Sequence, residues 1–192
     1  MARPRSEEAR HAALAATVDL LLDRGIEAVT FEDVAARSGV AKSTLYRHFG
    51  SKQAMVVAAA QSCYVVAATP DTGDLKTDLT QIFEQSKVAE EERRIPDVMP
   101  VLLAASHRDD ELHALLLAMI EEKRRPIRTV LQLAQLRGEI SRDLDLELAL
   151  ALLVGPFVQR RMIDRLEVTD EFRAQVIEHV VAALRATVPA GV

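Results

Sequence analysis

Apolar residues recur along this chain at three- and four-residue intervals, and clean period-two alternation is nearly absent, so the pattern predicts an all-α protein. Leu14, Val18, Leu21 and Leu22 form the inner stripe of a first helix over about 6–24, which Gly25 ends. Thr30, with Asp33 three residues on, has the S/T-x-x-D/E form of a helix start. Phe31, Val34, Ala35 and Ser38 then share one face of a short helix over 31–37. Gly39 supplies the positive φ of a sharp turn, and small Ala35 lets a second helix cross closely. That helix, over 41–49, puts Leu45 and Phe49 inward and Ser43, Thr44, Arg47 and His48 outward, with Lys42 and Tyr46 on the flank. A cap, a short amphipathic helix, a Gly turn and a second short helix make a helix-turn-helix.

Ser51 caps a fourth helix over 52–67, followed by the loop TPDTGD at 69–74. Leu75, Leu79, Ile82, Phe83 and Ser86 predict a helix over 75–92, closing on the solvated charge run EEERR at 90–94. Further helices are expected over 97–106, 110–136, 145–166 and 170–186, the last capped by Thr169. Pro126 should kink or split the third-last of these, and Gly155-Pro156 should kink the next. The organisation is thus an N-terminal three-helix head over 1–52 and a larger helical body over 53–192. In the body, Leu146, Ala149, Leu150, Leu153 and Phe157 make one stripe, and Phe172, Val176, Val180 and Leu184 another. Both are broader than a single core contact requires, so the expectation is a four-helix interface between two copies. The alternative is that they complete the core of one copy.

The outward face of 41–49 changes the picture from fold to chemistry. Hydroxyls, a guanidinium and an imidazole on one exposed helix face suit the edges of bases in a major groove. Lys42, Tyr46 and Lys52 suit phosphates, which fix register. The segment GVAKSTLYRHFGSK resembles the DNA-binding segment of the TetR family of bacterial transcriptional regulators, whose pattern runs G-V-S-x-x-T-L-Y-x-H-F-x-x-K. It departs at Ala41, where Ser is common. The likeness is dense over 10–56 and extends beyond only as a helical pattern. It implies base or backbone contacts from Lys42, Ser43, Thr44, Tyr46, Arg47 and His48, and phosphate contacts at Thr30 and Lys52. It also implies a homodimer on an inverted-repeat duplex and a small-molecule effector site in the body, with 1–52 binding DNA and 53–192 binding ligand and dimerising.

Net charge is −5, an unusual sign for a DNA binder, but its distribution answers the objection. Residues 1–52 hold eight basic and seven acidic side chains, and from Val34 to Pro70 there is no acid beside Arg37, Lys42, Arg47 and Lys52. Local sign governs phosphate attraction. Arg3 and Arg5 form a short basic arm, either a backbone contact or a free tail. Half the residues are hydrophobic (49%) and 28% charged, the balance of a folded protein. No window is long and apolar enough to cross a membrane, and MARPRSEEARH has no apolar signal core. With one cysteine, Cys63, read as a packed thiol, a cytoplasmic setting is expected.

Phe83, Met99, Leu102, Leu103, Leu115, Met119, Leu133 and Met162 could line an effector cavity, although for each one taken singly plain core is the favoured reading. With two Tyr and no Trp, a largely apolar ligand is expected. His107, Asp110, Glu111 and His113 have helical offsets, but no paired Glu-x-x-His motifs exist and the group straddles a helix start, so no metal and no cofactor are expected. No nucleophile elbow, zinc-protease motif or phosphate loop is present, so no catalytic residue is assigned. A regulator answering to a protein partner, or an activator, stays open beside the ligand-released repressor, as does, further off, a helical-bundle enzyme.

Overall fold

The computed structural model describes residues 3–63, 67–92 and 95–187, the side chains of 3–5 and 87–97 excepted. Among the described residues there are nine α-helices and no strand. The helices are α1 (Arg3–Arg24), α2 (Phe31–Ser38), α3 (Lys42–Phe49), α4 (Lys52–Ser62), α5 (Leu75–Glu92), α6 (Ile95–Ser106), α7 (Asp110–Arg137), α8 (Leu146–Val158) and α9 (Asp170–Arg185). The charge run at 90–94 lies outside the described side chains, as do Arg3 and Arg5, although the backbone of α1 already begins at Arg3.

The chain divides into two compact units, and the division is not a linear cut at residue 52. The first takes Met1–Val65 with Ala89–Ile120, because α6 returns to pack on α1 and α4. α1 is its axis. Ala13, Leu14, Ala16, Val18, Leu20 and Leu21 are all buried, since α2, α4 and α6 cover different sides of it. That is why Leu20 is buried although the single stripe leaves it out. Cys63 is buried too, with Sγ 3.5 Å from the Ala59 carbonyl oxygen.

The second unit takes Val66–Val88 with Glu121–Val192. Its core joins Leu75, Leu79, Ile82 and Phe83 of α5 to Val130, Leu131 and Ala134 of α7, Ala149, Leu150 and Leu153 of α8, and Ile177, Val181 and Leu184 of α9. Much of the stripe expected at an interface is therefore also part of this core. Ala149, Leu150, Leu153, Val176 and Leu184 are buried inside the protomer, and Leu146, Phe157 and Val180 pack on the same cluster, with Phe172 half-buried beside Phe157. A side chain that the protomer already buries has no area to give a partner. Because α8 is apolar round its circumference, the stripe pattern could not choose between its faces.

Neither Pro126 nor Pro156 splits its helix. α7 runs unbroken through buried Pro126, and α6 begins at Ile95, taking Pro96 into its first turn, where a missing N–H costs least. α8 passes through Gly155-Pro156 and changes pitch only after Val158. Gln159–Ile163 form one wide π turn, closed by Asp164 N–H donating to the Gln159 carbonyl at 3.0 Å, so the helix expected to reach 166 stops early.

Candidate nucleic-acid interface

The head is built by local chemistry. Thr30 Oγ1 accepts from Asp33 N–H at 3.0 Å and donates to the Asp33 carboxylate at 2.5 Å, fixing the start of α2. Gly39, at φ 71°, ends α2 with its N–H on the Ala35 carbonyl. The chain re-enters helix at once, and Leu45 of α3 is wholly buried against the head. Tyr46 stacks on Phe31, ring centroids 3.9 Å apart and planes 26° apart, locking α3 to the first residue of α2. Ser51 caps α4, accepting from Ala54 N–H at 3.1 Å.

Lys42, Ser43, Tyr46 and Arg47 are exposed along α3, and Thr44 and His48 are half-buried at its edge. These six residues share one short helix, as the sequence predicts. Their freedom differs. Arg47 has no ion-pair partner among the described residues, whereas Lys42 is paired with Glu32 of α2 and lies 5.7 Å from the Tyr46 ring centroid. That hydrogen bond raises the Lys42 ammonium above its ordinary range and lowers the Glu32 carboxyl. His48 Nε2 is 3.3 Å from Ser6 Oγ of α1, which ties the imidazole sideways. Thr30 spends its hydroxyl on the cap. Arg37, counted in the basic stretch, is held by Asp19 at 3.6 Å and Asp23 at 3.0 Å. Pairing across helices is what a linear charge count misses, and Glu32 is the residue it overlooked.

Lys52 opens α4, half-buried. Around it, Ser51 Oγ donates to Glu111 at 2.6 Å and Gln53 Nε2 to Asp109 at 2.8 Å. Asp109 also accepts from Leu112 N–H at 2.9 Å, and that bond first, then Gln53, holds its carboxyl below the usual range. Asp109 thus caps α7, and together with Glu111 it fastens the start of α4. Among the described residues no group of three His, Cys, Asp or Glu is placed to hold a metal, and no helix is long and apolar enough to cross a membrane.

The eight residues expected around an effector are split between the units. Met99, Leu102 and Met119 are buried and Leu103 and Leu115 half-buried in the first; Phe83 is buried and Leu133 and Met162 half-buried in the second.

Comparison with known proteins gives this geometry its setting. Residues 13–59 match the family model described as bacterial regulatory proteins, tetR family, and residues 69–180 match the tetracyclin repressor-like C-terminal domain. The HTH-type transcriptional regulator YdeS of Bacillus subtilis (strain 168) is 28% identical over 197 residues, covering 96% of this chain and 94% of its own. The HTH-type transcriptional regulator Rv1556 of Mycobacterium tuberculosis (strain ATCC 25618 / H37Rv) is 29% identical over 170 residues, covering 88% of this chain and 83% of its own. Among solved structures, the TetR family transcription regulator SCO0332 superposes with a TM-score of 0.67 at 28% identity, over 91% of this chain and 97% of that one. The flavonoid-responsive regulator FrrA superposes with a TM-score of 0.72 at 23% identity, over 95% and 98%. The C-terminal match alone spans more than half of the sequence, and with the N-terminal match it shows that the chain belongs to the TetR family of bacterial transcriptional regulators, DNA-binding proteins that dimerise and are not enzymes.

Proposed function

We propose that this regulator is a cytoplasmic dimeric repressor that reads an inverted repeat with α3 of each protomer and leaves it when a small molecule binds. The observation that carries the reading is the exposed Ser43–Arg47 face of α3, mounted on buried Leu45 and the Phe31–Tyr46 stack. Arg47 reads a base edge, while Lys42, Tyr46 and Lys52 hold phosphates and Ser43, Thr44 and His48 make shorter polar contacts. One such helix reads few base pairs, and two heads about 34–36 Å apart would read successive turns of the duplex. Leu148 and Leu152, one turn apart, stand exposed on α8, and a second copy of that face is the partner their spacing suits. FrrA is a flavonoid-responsive regulator, and a small-molecule response is proposed here too, with the effector favouring the state that does not bind DNA.

Selection from a random duplex library tests this directly. Enrichment of an inverted repeat supports dimeric reading. No enrichment at low salt, in the presence or absence of candidate effectors, removes it.

A further inference from the structure

Among the described residues, two charged side chains are buried in the second unit, and the protein treats them differently. Asp78 of α5 accepts from both Thr72 N–H and Thr72 Oγ1 at 2.8 Å and faces Arg137 at 3.6 Å. Arg173 of α9 is only 7% exposed and has no ion-pair partner among the described residues, and its Nε is buried with no hydrogen bond. Its neighbours of note are rings. The guanidinium carbon lies 6.0 Å from the centroid of Phe157, which sits 4.8 Å from Phe83 and, edge to face, 6.0 Å from Phe172.

A guanidinium is a donor at every nitrogen and accepts nowhere, so only an acceptor can satisfy its buried N–H. A buried guanidinium nitrogen left without an acceptor is destabilising. A structural role would have been served by Met or Leu at lower cost. We infer that Arg173 is an effector-anchoring residue: the acceptor it lacks arrives with a small molecule carrying a carboxylate on an apolar, preferably flat, body. The fork binds the carboxylate and the Phe83–Phe157–Phe172 cluster takes the apolar part. This refines the largely apolar effector expected from composition, and it rests on the ligand-released reading above.

The experiment uses the full-length protein and a panel of monocarboxylates (benzoate, naphthoate, decanoate), each paired with its neutral amide. Calorimetric titration and release of library-selected duplex are read together. At least one carboxylate should bind roughly 10- to 100-fold tighter than its amide, the worth of a charge-assisted bond. Arg173→Met should abolish that preference while leaving the ligand-free melting temperature equal or higher, and Arg173→Lys should keep part of it. Failure of every carboxylate, equal binding of acid and amide, or a large loss of ligand-free stability in Arg173→Met overturns the inference, the last by revealing an internal counter-charge. Should Arg173→Met not fold, it is overturned on the same ground, and Arg173→Lys still reports the acid-over-amide preference. A carboxylate that binds through Arg173 without releasing DNA keeps the site and removes ligand release. Release by neutral compounds regardless of Arg173 does the reverse.

Discussion

α3 and α8 are both short helices with one face buried, and they differ in what the other face shows to water. α3 buries Leu45 and presents hydroxyls and a guanidinium. α8 buries Ala149, Leu150 and Leu153 and presents more leucine, with Leu148 53% and Leu152 44% exposed. A polar exposed face is at rest in water and gains only when a charged polymer offers partners. An apolar exposed face is not at rest, and it gains by meeting another apolar surface. In the function proposed above, the two helices divide recognition from assembly.

Adjacent leucines of α8 offer the strongest way to break this contrast. Leu153→Ala should cost about 2–5 kcal/mol of unfolding free energy, because it empties a wholly buried site. Leu152→Glu should leave the helical spectrum intact and halve the mass measured in solution. A Leu152→Glu protein that remains dimeric would take this face of α8 out of the assembly. On α3, Arg47→Ala should lose about 1–3 kcal/mol on the selected duplex and little on random DNA. Equal losses on both would move Arg47 from base reading to phosphate holding.

The head was more legible from sequence than the body for a physical reason. Thr30, Gly39 and Ser51 act on atoms within four residues of themselves, so their roles survive translation into three dimensions. Their helices are short and amphipathic, which leaves one way to face. In the second unit α5 and α9 read to within a residue, but the span expected to 166 ends at Val158, and α8 had no polar side to orient it. Whether Leu152 or Leu153 points inward depends on α5, α7 and α9, which no local pattern encodes. The same limit hid Glu32 beside Lys42, and it hid the buried setting of Arg173.

Acid sharpens the comparison for the body. Thr77 N–H and Oγ1, followed by Arg185, hold the Asp74 carboxyl down at about 2. The folded-state value lies below the unfolded one, so the stabilisation is complete above about pH 4 and fades as pH falls towards 2. Allowing for solvent around this half-exposed pair, Asp74→Asn should cost about 1 kcal/mol at neutral pH, and the gap from the parent should close between those limits in denaturant titrations. A gap that persists at low pH would assign the loss to geometry instead of charge. In the head, Ala41 starts α3 without a side-chain cap although its backbone, at φ −57° and ψ 135°, is extended. Ala41→Ser should therefore add about 0.5–1 kcal/mol, seen as a higher urea midpoint.

The smallest effect concerns how much of the basic face α3 can use. Lys42 is paired with Glu32, an exposed pair on the side that DNA would approach. If the pair persists on the duplex, Glu32 repels the phosphate that Lys42 attracts. If it breaks, binding pays for the separation. Either way Glu32→Gln should tighten binding to specific and random duplex alike, by a few-fold at low salt, and steepen the salt slope by up to ~0.9. The change should vanish in Lys42→Ala, since it acts only through that ammonium. Tightening that survives without Lys42 would show instead that Glu32 sets the general field of the head, and the pairing would then be incidental to DNA binding.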